Sequence, residues 1–200
     1  MPRPSNPDVR RRLLRAGLEL MHRDGFAGAG VKDITDAAGV PKGSFYSYFP
    51  SKEALSAEVL TFYWDPIERD LLPLLAESDV EPTARIANFF RALADEHESH
   101  DFVLGCMIGR MALEVGGSSD PARAELLRIL DRWDAAIASC VAAGQAGGSI
   151  ATKRSAVELA AVIVEAWEGA ALRGKVSRSR DPYVRFEVST LPALLGIPTT

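Results

Sequence analysis

The stretch V-K-D-I-T-D-A-A-G-V-P-K-G-S-F-Y-S-Y-F-P-S-K-E-A-L, Val31 to Leu55, leaves few options for the fold around it. Val31, Ile34 and Ala38 recur at spacings of three and four, which defines one apolar helical face. Gly39 supplies a left-handed residue to end that helix, and Val40 is expected to tuck back towards it. Pro41 suits the first position of a second helix, because its φ is preset and it has no N–H to leave unpaired. In the second helix Phe45 and Phe49, four residues apart, face inwards, while Lys42, Gly43, Ser44 and Ser47 fall on the outward side. Ser51 then reads as the N-cap of a third helix. Two short helices about a tight turn, the second with a small polar outward face, describe a helix-turn-helix that reads DNA.

The side chains around that face have matching chemistry. Tyr46, Tyr48, Lys42 and Lys52 bring hydroxyls and ammonium groups suited to phosphate oxygens. Lys52 also opens the third helix, whose N-terminus attracts anions. Phe and Tyr at helical spacing are often simply core, and Phe45 and Phe49 are read that way. Four aromatics within five residues, flanked by lysines, exceed what core packing alone requires.

On these residues the chain resembles the TetR family of transcriptional regulators. The run A-G-V-P-K-G-S-F-Y-S-Y-F-P-S-K-E-A-L, Ala38 to Leu55, is similar to that family's signature nearly throughout, and Leu14 to Leu60 can be laid on its DNA-binding domain without a gap. The resemblance implies an all-α protein: a three-helix DNA-binding domain over residues 1–60 and a helical ligand-binding and dimerisation domain over 61–200. It further implies a homodimer through the last two helices, a palindromic double-stranded operator, and a small-molecule inducer that releases a repressor. One departure stands out. The family usually has Thr or Ser just before the first reading helix, and this chain has Ala29 and Gly30, so a hydroxyl contact to phosphate is absent there.

Charge distribution agrees with a DNA partner although the net charge of −4 does not. Residues 1–52 hold nine Lys/Arg against five Asp/Glu, and the remainder holds fourteen against twenty-two. A basic head on an acidic body is a local electrostatic footprint for DNA. Met1 to Ser5 reads as a disordered arm, and its Arg3, with Arg10, Arg11, Arg12 and Arg15, is either a DNA-contacting set or a solvated basic face. Two widely spaced cysteines and no signal-like apolar start suggest the reducing cytoplasm. No apolar run approaches a membrane span.

Elsewhere the periodicity is helical and no segment demands a strand. Asn6 and Pro7 read as cap and first turn of a helix with Val9, Leu13, Ala16, Gly17 and Leu20 inward, ended by Gly25. G-F-A-G-A-G, Gly25 to Gly30, has the composition of a phosphate-cradling loop, but with no preceding strand it is a helix connection. Asp65-Pro66 should end or kink the third helix and makes a candidate hinge. Helices are expected over Pro82–His97, over Phe102–Val115, from a cap at Asp120-Pro121, from Thr152 or Ser155, and from Asp181-Pro182.

Enzyme chemistry finds no support: there is no nucleophile elbow or P-loop, and no cofactor is implied. His97-Glu98-Ser99-His100 lacks the i, i+4 histidine spacing of a helical metal site and reads as a surface helix end. The competing class is a helical small-molecule-binding protein without DNA binding, against which the basic aromatic head argues. In the body, Phe102, Cys106, Met107, Met111, Trp133, Trp167 and Lys175 are the candidate ligand-pocket residues, with core packing as the alternative for each. L-G-C-M-I-G-R-M around Cys106 and E-G-A-A-L-R-G-K-V-S-R-S from Glu168 resemble a subgroup of the family that senses electrophiles or oxidants. That resemblance implies a reactive Cys106 with Lys175 near it, the ammonium favouring the thiolate. Cys140, beside Trp133 and Ile137, reads as a small buried hydrophobe.

Overall fold

Asn6 caps the first helix as its sequence suggests: its Oδ1 accepts the Asp8 N–H at 2.9 Å, and Pro7 occupies the first turn. The computed structural model describes residues 6–197, all helices and connections with no strand among them. The arm carrying Arg3 lies outside the described residues. The helices form two compact units. The head unit comprises the residues up to Asp65 together with Met107–Ile129, and the body unit comprises Pro66–Cys106 and the residues from Leu130 onwards.

In the head unit, α1 (Pro7–Gly28) buries Leu13, Leu14, Ala16, Gly17 and Met21. A Cβ at Gly17 would lie 3.1 Å from Val59 and 3.2 Å from Leu55, so glycine sets how closely α1 approaches α3 (Lys52–Pro66). The regular helix is interrupted at Gly25 (φ 86°, ψ 170°), a left-handed conformation that glycine adopts without steric cost. α2 (Val31–Ala37) ends as expected: Gly39 is left-handed (φ 64°). The Gly39 N–H reaches the Asp36 carbonyl at 3.1 Å and the Val40 N–H the Thr35 carbonyl at 3.0 Å, a Schellman closure.

Three local expectations are corrected in or beside this unit. The second reading helix is a single 3₁₀ stretch, Lys42–Ser47, not an α-helix; its Ser44 N–H bonds the Pro41 carbonyl at 2.8 Å, three residues back. At Asp65-Pro66 the correction is partial: α3 ends at Pro66 as expected, but the chain stays helical beyond it, in a π-helical turn, Ile67–Leu71, and a 3₁₀ turn, Leu72–Ala76. Proline removes one intrahelical donor, and widening to i→i+5 bonding keeps the chain helical past that loss. The expected helix over Phe102–Val115 starts only at Met107 (α5, Met107–Val115). Asp101 (φ 52°), Phe102 (φ 57°) and Gly105 (φ 68°) are left-handed, which no continuous helix accommodates.

α6 (Asp120–Gly147) is capped by buried Ser119, one residue before the expected Asp120: its carbonyl accepts the Arg123 N–H at 2.8 Å. In the body unit, α4 (Pro82–Ser99) buries Ile86, Phe89, Phe90 and Leu93 as its periodicity requires. α7 (Ala156–Ser177) buries Leu159, Ile163, Val164, Trp167 and Ala171. α8 (Asp181–Arg185), a π-helical segment (Phe186–Thr190) and α9 (Leu191–Leu195) fold back along α7. A Cβ at Gly174 would overlap the Tyr183 ring, so this glycine admits the tyrosine against α7. The core is aromatic: Phe90 lies 5.0 Å from Trp167, 4.9 Å from Phe186 and 6.4 Å from Trp133, centroid to centroid.

Candidate functional site

The reading segment is held by its two phenylalanines. Phe45 and Phe49 are fully buried, 5.8 Å apart by ring centroid, and the Phe49 N–H bonds the Phe45 carbonyl at 3.0 Å. With that face fixed, Lys42, Gly43, Tyr46 and Ser47 are exposed, and Ser44 and Tyr48 half-buried. Nothing lies within 4 Å of where a Cβ on Gly43 would stand, so the backbone there is open to close approach. Lysine, hydroxyls and bare backbone on one rigid outward face can meet both base edges and phosphates.

The flanking groups are more tightly held than their sequence suggests. The Tyr48 hydroxyl accepts the Asn6 N–H at 3.3 Å, next to the start of α1. Lys52 does not extend freely: its Nζ donates to the Phe26 carbonyl at 2.8 Å and stands 4.1 Å over the Phe26 ring. An ammonium has three donors, so this bond pre-positions Lys52 and leaves capacity for a phosphate. Ser51 caps α3 through the Ala54 N–H at 3.1 Å. Arg10 belongs to the fold, paired with Glu58 and lying 5.1 Å over Phe49, whereas Arg11, Arg12 and Arg15 are exposed on α1. Gly30 precedes α2 with no side-chain cap.

In the body unit a second group of side chains gathers around Tyr183. Its hydroxyl lies 2.8 Å from His97 Nδ1, Phe102 stacks on its ring at 5.6 Å, and Trp167 is 5.2 Å away. His97 is therefore buried inside this cluster, which corrects its reading as a surface helix end. Cys106 is half-buried. Burial pushes the Glu168 carboxyl up, opposed by its hydrogen bond with Cys106, and Glu168 Oε1 has no hydrogen-bond partner. Burial, then the charges of Cys106 and Glu168, push the Tyr183 phenol up. Lys175 Nζ donates to the Leu104 carbonyl at 2.8 Å, and a Cβ at Gly105 would be 3.1 Å from the lysine chain.

Of the residues singled out for a pocket, Phe102, Cys106, Trp167 and Lys175 are thus brought into one neighbourhood. Trp133 joins through Phe90, while Met107 and Met111 are buried among the residues of the head unit. Glu168, His97 and Tyr183 were not selected from sequence; their signal is a polar group within an apolar helical stripe. A gap lined by Phe90, Trp167, Tyr183 and Phe186 holds about 10 Å³, room for about one water. Cys140 is core as expected: its Sγ lies 3.4 Å from the Pro82 carbonyl, and burial pushes its thiol up to about 11. A separate groove of about 330 Å³ runs along the outer side of α7 and α8, lined by Leu172, Val176, Pro182 and Arg185. Among the described residues no three side chains form a metal-ligating group, and no helix is long and apolar enough to cross a membrane.

Known proteins are similar to this chain in sequence and fold. Residues 13–59 match the family model described as bacterial regulatory proteins, tetR family, and residues 82–189 the one described as tetracyclin repressor-like, C-terminal domain. The chain is 37% identical over 187 residues to the HTH-type transcriptional repressor DhaR of Mycobacterium sp. (strain GP1), covering 94% of this chain and 92% of that one. It is 28% identical over 182 residues to the HTH-type transcriptional repressor NemR of Escherichia coli (strain K12), covering 91% and 92%. Among solved structures, regulatory protein TetR from Rhodobacter sphaeroides superposes with a TM-score of 0.84 at 33% identity, over 92% of this chain and 97% of that one. The reduced form of E. coli NemR superposes with a TM-score of 0.82 at 27% identity, over 96% and 100%. With a helix-turn-helix held on Phe45 and Phe49, a helical body, and both family models matched, the chain belongs to the TetR family of DNA-binding transcriptional regulators.

Proposed function

We propose that this regulator is a repressor that binds a palindromic operator as a homodimer in the cytoplasm and is released by a small molecule held in its body unit. The observation that carries the DNA reading is the outward set of exposed Lys42, Gly43 and Ser47 with half-buried Ser44, fixed in place by fully buried Phe45 and Phe49. Lys42 and Ser44 meet base edges, Gly43 permits close approach, and Tyr46, Tyr48 and Lys52 hold phosphates. Dimerisation uses the outer side of the last two long helical stretches, where Val157, Leu172, Val176 and Val188 stand exposed; a two-fold contact there places two reading segments on one face of the DNA. Gel shifts on the DNA flanking the protein's own gene test this reading. Lys52→Ala is expected to weaken binding to all sequences alike and lower the salt slope by about one unit, as loss of one phosphate contact does. Ser44→Ala is expected to change which operators are preferred. An unaltered salt slope for Lys52→Ala contradicts its assignment.

The ligand acts by linkage, binding the free protein better than the operator-bound protein. Phe102, Cys106, Trp133, Trp167 and Lys175 form its surroundings in the body unit. Cys106 is the reactive group in this reading, supported by its partial exposure and by the Lys175 ammonium, held on the Leu104 carbonyl two residues before it, as the cation that favours the thiolate. Treatment of the folded protein with a small maleimide at neutral pH is expected to modify Cys106 and lower operator affinity, while buried Cys140 stays unmodified. Modification without loss of affinity, or none at Cys106, makes it a packing residue.

A further inference from the structure

The interruption of α1 at Gly25 is bridged by an ion pair from elsewhere in the head unit. In an unbroken helix the carbonyls of His22 and Arg23 would receive the N–H groups of Phe26 and Ala27. Here Arg110, on α5, donates through Nη1 to the His22 carbonyl at 3.1 Å and the Arg23 carbonyl at 3.2 Å. Glu114, one turn further on α5, accepts the Ala27 N–H at 3.3 Å and is itself bonded by Arg110 Nε at 2.9 Å. The pair thus supplies a donor and an acceptor on opposite sides of the break. Burial opposes ionisation of Glu114, but Arg110 and the N–H groups of Ala27 and Phe26 outweigh it and hold the carboxyl below the usual range. A Cβ at Gly25 would stand 2.7 Å from Arg110 Nη2 and overlap Glu114, so a side chain there would push the pair from these positions, and the positive φ of 86° favours glycine besides.

The bridged turn has a second anchor. The Phe26 carbonyl is the acceptor for Lys52, and the Phe26 ring lies under the same ammonium. Lys52 opens α3 directly after the reading segment. From α5 to the reading motif there is therefore an unbroken series of contacts: Arg110 and Glu114, the Gly25–Gly28 turn, Lys52. We propose that Arg110 and Glu114 are positioning residues for DNA binding, setting the place of Lys52 from outside the helix-turn-helix. This rests on the DNA-binding reading above. It also gives α5 a specific role: a shift of α5 along its axis changes the bridged turn, and with it the lysine that faces the phosphate backbone.

The test uses the full chain and a duplex enriched from random-sequence DNA by the wild-type protein. Arg110→Ala and Glu114→Ala are each expected to lower affinity for it by about tenfold. In a Lys52→Ala background they should have no further effect, because their route to DNA runs through that side chain. A role in stability alone would lower the melting midpoint and leave the two effects on affinity additive. Should either alanine variant fail to fold, Arg110→Lys decides in its place: it keeps the charge but lacks the fork that spans two carbonyls, and about a threefold loss is expected. Unchanged affinity in the variants, or losses that add to that of Lys52→Ala, overturns the inference while the DNA reading stands. A wild-type protein that enriches no sequence overturns both.

Discussion

Phe45→Ala is expected to abolish operator binding and to lower the melting midpoint by about 10 °C. Phe45 is fully buried, with Phe49 at 5.8 Å and Tyr46 at 5.3 Å. Truncating a buried phenylalanine costs about 3–5 kcal/mol, a large share of the roughly 5–15 kcal/mol that holds a domain of this size together. Two or three degrees are lost per kcal/mol in chains of about 200 residues, which gives the shift in midpoint. The consequence for function exceeds that for stability. The 3₁₀ segment Lys42–Ser47 is six residues long, too short to hold its shape without a core anchor. Calorimetry together with gel shifts checks this, and wild-type operator affinity in the variant would show that the segment is held by something other than Phe45.

Val176→Asp is expected to leave the protomer folded and to dissociate the dimer. Val176 is 80% exposed and Leu172 60% exposed, both on the groove beside α8, so neither contributes much to the protomer's own core. In the two-fold contact proposed for this face each would be buried, and each substitution would count twice by symmetry. An unpaired carboxylate in such an interface costs several kcal/mol per site, so a loss of dimer affinity of at least about a hundredfold is expected. Operator affinity should fall with it, since each half-site is then bound alone. Sedimentation at micromolar concentration reads the outcome. A variant that remains dimeric would move the interface away from this face.

What the sequence made legible follows from where the physics is local. Gly39 announces a left-handed helix end because few other residues adopt positive φ, and the closing bonds, Gly39 to Asp36 and Val40 to Thr35, form within six residues. The inward phenylalanines followed from spacing alone. The 3₁₀ form of the reading segment did not, because i→i+3 and i→i+4 bonding share nearly the same apolar pattern over two turns. The start of α5 was misplaced for a related reason: Phe102 and Met107 continue a plausible helical face, and the left-handed Asp101 and Phe102 are held there by the tertiary fold. Gly25 marks a break in the sequence itself, but its partners Arg110 and Glu114 lie more than eighty residues away. Likewise the tie from Lys52 to the Phe26 carbonyl spans 26 residues and has no local signature. A lysine assigned to phosphate from sequence is therefore also a structural strut, a double use that only packing reveals.

In the function proposed for it, two copies of this chain read one palindromic sequence through Lys42, Ser44 and their neighbours. Enrichment of duplexes from random-sequence DNA by the intact protein, followed by measurement of protomers bound per duplex, tests it most directly. The account predicts an inverted repeat with half-sites one helical turn or a multiple apart, occupied by two or an even number of protomers. An enriched set with no two-fold symmetry, or binding that ignores sequence altogether, would contradict it.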